Sequence, residues 1–294
     1  MTNSTRADAL AAYRARPDHE QWDELLNYSE RVLACRDAIE QTARAIEVDL
    51  DKARQAIKDE KPYLLAQKVE LDGAAFIADC KRLTQLFADN GVFDAGNARD
   101  ILALPWGSIE SEAVKAAQNP EAFTDAAVKV LLGEDNEDLV RDAFLRGVLA
   151  TVVRAYLGGV GRDMTEILET SDKFLVRKQT RQCPTCGATP SLSAVLQGNE
   201  DEGNARRLYC PCCGTVWPFE RLRCALCGNA NPSQLKYVHS EDDLAHRLHV
   251  CSSCGGSLPA VFREALKEPF DQDIETYACI PLATAWMEKN EEQA

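Results

Sequence analysis

Cys183-Pro-Thr-Cys186, Cys210-Pro-Cys-Cys213, Cys224-Ala-Leu-Cys227 and Cys251-Ser-Ser-Cys254 fall within 72 of the 294 residues of this chain. A glycine follows each pair directly, at 187, 214, 228 and 255. Two cysteines at this spacing bend the chain so that both sulfurs face one ion. The glycine behind them permits a tight reversal with positive φ. Four such pairs supply two complete tetrahedral donor sets.

The pairs form a repeat. Cys186 to Cys210 is 24 positions, and so is Cys227 to Cys251. A shift of 41 carries Cys183 onto Cys224, Cys210 onto Cys251, Gly187 onto Gly228, Gly214 onto Gly255 and Pro218 onto Pro259. It also carries Arg206 onto Arg247 and the acidic run Glu200-Asp201-Glu202 onto Glu241-Asp242-Asp243. Each repeat can therefore close its own site. The expected metal ligands are Cys183, Cys186, Cys210 and Cys213 for one site, and Cys224, Cys227, Cys251 and Cys254 for the other. Each acidic run is then a solvated turn between strands. An interleaved pairing of first with third and second with fourth uses the same thiols. Cys-Pro-x-Cys-Gly resembles a rubredoxin knuckle, and zinc ribbons share it, so spacing does not choose between iron and zinc.

Working outward, residues 182–259 are dense in Gly, Pro and Cys, with short apolar runs. Short strands are expected at 193–197, 235–239 and 248–250. Such a segment carries too little apolar material for a large core, and metal ligation is the usual substitute. The preceding sequence reads as helix. Trp22, Leu25, Leu26, Ser29, Val32, Ile39, Ala43, Ile46 and Leu50 form one stripe of a long helix, interrupted at Lys61-Pro62. Val69, Gly73, Phe76, Cys80, Leu83 and Phe87 form a second, with Asn90-Gly91 as its stop. Residues 101–107, with Pro105, read as a loop or short turn. Asn119-Pro120-Glu121 is a helix start. A stripe from Leu139 to Tyr156 is expected to end at Gly158-Gly159. After Glu264 the sequence returns to helix, split or kinked at Pro281. The expected fold is α+β. A helical bundle over 1–172 precedes two tandem rubredoxin-like or zinc-ribbon-like units over 173–265 and a helical tail over 266–294.

A formal net charge of −14 disfavours sequence-blind binding to nucleic acid or anionic membrane. The N-terminus lacks an apolar signal region, and the apolar stretch 147–160 is too short to span a bilayer. A cytoplasmic, reducing location is expected, where paired thiols bind metal or do redox work. Cys35, Cys80 and Cys279 are expected to be small core residues. Cys212 reads as an unliganded neighbour, with an alternative or reactive ligand as the other reading. His239, His246 and His249 are expected to be surface or strand residues. Lys173, Arg177, Lys178, Arg181, Arg206, Arg207, Arg221 and Arg223 concentrate positive charge around the first unit. Of these, Arg206, Arg207, Arg221 and Arg223 are candidates for charge-steered contacts. No phosphate loop or nucleophile–base pairing is visible, so no enzymatic activity is expected.

The strings CPTCGATP at 183–190, LYCPCCGTVWPFERLRCALCGN at 208–229 and HVCSSCGGSLP at 249–259, behind a helical half, resemble the FdhE family of formate dehydrogenase accessory proteins. The resemblance implies a cytoplasmic maturation protein that binds the catalytic subunit of respiratory formate dehydrogenase before export. It further implies two iron ions held by the eight paired cysteines, with zinc as the alternative. A zinc-ribbon nucleic-acid-binding protein and a rubredoxin-like electron carrier are the competing readings.

Overall fold

The computed structural model describes residues 3–17, 20–170, 180–197 and 205–291. The chain divides into two compact units. A bundle unit comprises Glu30–Ala188 and Cys210–Thr215; a sheet unit comprises Met1–Ser29, Thr189–Tyr209 and Val216–Ala294. This division differs from the consecutive segments 1–172, 173–265 and 266–294. Burial groups surfaces that are distant in sequence, whereas composition averages over neighbours.

In the bundle unit, α2 (Glu20–Glu40) contributes its second half, followed by α3 (Leu50–Lys58), α4 (Tyr63–Ala66), α5 (Gly73–Asp89), α6 (Ala95–Leu102), α7 (Glu110–Ala113), α8 (Pro120–Leu132) and α9 (Leu139–Thr170). The expected long first helix is two helices. It stops at Glu40, Leu50 is 53% exposed, and α3 starts afresh because the Asp49 side chain accepts from the Asp51 and Lys52 amides. The second stripe is α5, which buries Gly73, Phe76, Cys80, Leu83 and Phe87 and ends at Asn90-Gly91, with Gly91 at φ +66°. Part of the expected loop at 101–107 belongs to α6, whose start is the Asp94 side chain accepting from Gly96 and Asn97. Asn119 caps α8 as expected, accepting from the Ala122 amide. Phe76 lies edge-on to both Phe123 and Tyr156, each at 5.5 Å, which joins α5, α8 and α9 into one core.

Helix α9 does not stop at Gly158-Gly159 but runs to Thr170. Two glycines weaken a helix by about 1 kcal/mol each. Buried Leu157, Val160, Met164, Ile167 and Leu168 hold this one across them. At 32 residues α9 is also longer than the apolar stretch suggested, and by length and composition it passes as a membrane span. Of its most apolar window, 56% is buried within the fold, as in a core helix.

The sheet unit holds α1 (Asn3–Arg14), the first half of α2 and six strands: β1 (Leu192–Leu196), β2 (Ala205–Tyr209), β3 (Val216–Phe219), β4 (Leu235–Val238), β5 (His246–Cys251) and β6 (Ser257–Phe262). Helices α10 (Gln272–Ala278) and α11 (Ile280–Glu291) follow, the break falling at Cys279 just before Pro281. The strand order is β3-β2-β1-β6-β5-β4, two antiparallel meanders joined by parallel β1 and β6. The 41-residue repeat survives in the register. Arg206 faces Phe219 and Leu208 faces Trp217; their shifted counterparts, Arg247 and Ala260, His249 and Leu258, also face each other. The first hairpins differ, because a 3-10 turn at Pro232–Gln234 precedes β4. The turn at Glu241-Asp242-Asp243 joins β4 to β5 as expected; Glu200-Asp201-Glu202 lies outside the described residues. The segment builds more core than its composition suggested. Leu192, Ala194, Tyr209 and Val261 pack with Phe270 and Cys279 on one face, and Val195, Ala260 and Phe262 pack on the other.

Candidate metal centres

The four cysteine pairs form four copies of one knuckle. The amides of Gly187, Gly214, Gly228 and Gly255 donate to the carbonyls of Cys183, Cys210, Cys224 and Cys251. The amides of those same cysteines donate to the carbonyls of Ala188, Thr215, Asn229 and Gly256. All four glycines have φ between +71° and +83°, the left-handed region that a side chain disfavours. Each knuckle thereby aims its two thiols the same way.

The knuckles pair sequentially. Cys183, Cys186, Cys210 and Cys213 bring their Sγ atoms within 4.8 Å of one another in the bundle unit, and Cys224, Cys227, Cys251 and Cys254 do so in the sheet unit. Sulfurs around a tetrahedral ion with bonds of about 2.3 Å sit about 3.8 Å apart. In the first group Cys183–Cys213 and Cys186–Cys210 are 3.5 and 3.4 Å apart. In the second, Cys224–Cys254 and Cys227–Cys251 are 3.9 and 3.8 Å apart. Both donor sets fit one ion each, and an all-thiolate set suits zinc or iron.

The environments differ. The first group is fully buried. The amides of Tyr63 and Leu64, at the start of α4, donate to the carbonyls of Pro184 and Thr185, both at 2.9 Å. On the other side α9 closes against the second knuckle: Arg154 Nη1 donates to the Cys213 carbonyl at 3.2 Å. Gly161 lies so near that a Cβ there would overlap the same carbonyl. Burial pushes the Cys186 and Cys210 thiols well up. At Cys213 burial is outweighed by hydrogen bonds from Cys183, Cys186, Cys210 and Thr215, which bring it well down. A cation at the centre reverses the cost of ionising all four, because coordination displaces the thiol proton. In the second group Cys224 and Cys251 are buried while Cys227 and Cys254 are exposed. There burial pushes Cys254 up to about 12. At Cys251 burial is overcome by backbone amides and Asn229, giving about 6.

Cys212 is half-buried and outside both groups. Hydrogen bonds with Cys186 and Cys210 hold its thiol down at about 5 against burial, helped by Arg154. Cys35, Cys80 and Cys279 are buried core residues, as expected. His239 is exposed and His249 lies in β5.

Arg206 departs from its expected role. It is 1% exposed, not a surface contact, because alternation along β2 turns it onto the face that carries Val195 and Phe262. Arg207 and Arg223 are half-buried, and Arg181 and Arg221 are exposed. Lys173, Arg177 and Lys178 lie outside the described residues.

His246 carries a cluster that the sequence did not reveal. Its Nδ1 is 2.7 Å from Asp243 Oδ2 and its Nε2 is 2.8 Å from Glu275 Oε2. Tyr13 donates to the same Glu275 oxygen at 3.0 Å, which ties α1 to α10 and β5. Burial opposes protonation of His246, but the two carboxylates outweigh it and raise it to about 9. The one available signal was Asp243 three residues before His246, and Glu275 is remote in sequence.

A family model for the FdhE central domain matches residues 182–221, which contain the first two knuckles. A protein FdhE homolog from Aquifex aeolicus is 31% identical over 102 residues, 34% of this chain and 35% of that protein. One from Rhizobium meliloti is 32% identical over 82 residues, 28% of this chain and 26% of that protein. These alignments span about a third or less of the relatives' length. The crystal structure of the FdhE protein from Pseudomonas aeruginosa matches with a TM-score of 0.57 over 97% of this chain and 90% of that one. At 15% identity that is a likeness of fold. The chain is thus similar to FdhE proteins in sequence across the knuckles and in fold along nearly its whole length.

Proposed function

We propose that this chain is a non-enzymatic maturation factor that binds the catalytic subunit of a respiratory formate dehydrogenase in the cytoplasm before export. It carries one iron ion in each four-cysteine centre. The observation that carries the reading is the pair of complete four-thiol donor sets, the first of which lies within the segment matching the FdhE central domain. The second centre offers the better client surface. Two of its thiols are exposed, and the loop entering it presents exposed Arg221 and a Leu222 that is 60% exposed. A rigid metal loop presenting a cation beside an apolar side chain suits recognition of a folded, acidic surface.

Tagged protein recovered from cells making the enzyme is expected to carry its catalytic subunit. Arg221→Glu is expected to weaken capture and reduce its dependence on salt while leaving bound metal unchanged. Recovery of no formate dehydrogenase by the intact protein would remove the maturation reading. Recovery of nucleic acid in its place would favour the zinc-ribbon alternative.

A further inference from the structure

Arg206 is a buried cation without an acidic partner among the described residues. Its Nη1 donates to the Arg223 carbonyl at 3.0 Å and its Nη2 to Ser193 Oγ at 3.4 Å. Its guanidinium carbon lies 5.8 Å from the centre of the Phe219 ring, and Nε has no hydrogen-bond partner. Among the described residues, Tyr237 and His249 beside it supply no negative charge. Burial raises Tyr237, whose hydroxyl is also unpartnered. Burial, with Arg206 itself, lowers His249 to about 4, so that ring is neutral. A guanidinium does not shed its proton, and an uncompensated buried charge costs several kcal/mol. A negative group beside it would offset that cost.

The hydrogen bonds lead to it. Arg223, whose carbonyl Arg206 holds, immediately precedes Cys224. Arg223 Nε in turn donates to the carbonyl of Gly228, which closes the same knuckle, at 3.2 Å. Four thiolates around a divalent ion carry a net charge of about −2. We propose that Arg206 is the buried counter-cation of the second four-cysteine centre, bracing its first knuckle through Arg223 and balancing the charge of the metal–thiolate cage. This rests on the reading that the second centre holds a divalent metal.

Two comparisons within the chain support the assignment. At the first centre Arg154, from a helix rather than a strand, donates to the carbonyl of Cys213. Arg247, the repeat partner of Arg206, instead lies 3.7 Å from the Phe262 ring centre and donates to Leu244. The Arg206 arrangement is therefore particular to the second knuckle pair, not a by-product of duplication. Arg206 is a positioning residue: it acts on the metal through backbone and field, without ligating it.

The test uses zinc-loaded full-length protein challenged with a chromophoric chelator. Wild type is expected to release two ions, and the phase missing from the double variant Cys227→Ser with Cys254→Ser belongs to the second centre. Arg206→Gln is expected to speed that phase about ten- to a hundredfold, the usual effect of losing an outer-shell partner. The first-centre phase should stay unchanged, and Arg206→Lys, which keeps the charge, should restore slow release. A wild type lacking a second ion would remove the metal reading itself. With two ions present, an unaltered second phase in Arg206→Gln overturns the proposal, and so does equal acceleration of both phases. Fast release from Arg206→Lys overturns it as well. Should Arg206→Gln not accumulate as folded protein, Arg206→Lys decides alone: near-wild-type retention of the second ion supports the proposal, and its loss overturns it.

Discussion

Alanine at Gly161 is expected to empty the first metal centre and to cost about 3 kcal/mol of stability, the upper part of the range for overpacking. The smallest side chain already overlaps the Cys213 carbonyl, and neither neighbour can yield cheaply. Gly161 sits inside α9, where the backbone is fixed by its own hydrogen bonds. The Cys213 carbonyl belongs to a knuckle whose thiols must converge on one ion, and Arg154 already holds it. Gly159, two residues earlier on the same helix, has only the end of Arg162 near its own Cβ position. Alanine there should stabilise the protein by about 0.5–1 kcal/mol through the helix backbone alone. Metal content and urea midpoints of the two variants check the contrast. A Gly161→Ala protein with both ions and wild-type stability would mean that the helix does not press on the knuckle.

Loss of His246 should be costlier still. Alanine in its place leaves the Glu275 carboxylate, 0% exposed, without its cation, and removing one partner of a buried pair costs about 3–5 kcal/mol. The effect depends on pH with a definite sign. His246 is raised from 6.5 to about 9, so its contribution is complete below 6.5 and fades as pH rises through about 9. Asp243 is opposed by burial but brought down from 3.8 to about 2 by His246, so its contribution is complete above 3.8 and fades as pH falls through about 2. The stability gap between wild type and His246→Gln should therefore be widest between about pH 4 and 6.5 and narrow by pH 9.5. Urea titrations of zinc-loaded protein across that range measure it. A gap that does not change with pH would show that His246 folds uncharged.

The two four-cysteine groups were legible because the spacing of paired cysteines is a local property. Cysteine pairs, the glycines behind them and the 41-residue shift are all written in consecutive sequence, and the eight thiols gather as that shift implies. The same shift carries the register of β2 and β3 onto that of β5 and β6. What was not legible depends on distant partners. Gly158-Gly159 reads as a helix stop until Leu157, Val160 and Met164 are seen buried around it. Arg206 reads as surface charge because β2 is a five-residue strand in which Arg206 and Arg207 point opposite ways. Nothing adjacent says which of them faces inward. The single long helix from Trp22 to Leu50 failed for a local reason that apolar spacing hides: the cap at Asp49.

The account rests on two independent four-thiolate centres, and metal stoichiometry in protein purified anaerobically without added metal tests that most directly. Two ions per chain are expected, as iron with thiolate-to-metal charge-transfer absorption or as colourless zinc. One ion per chain, or none, would contradict it.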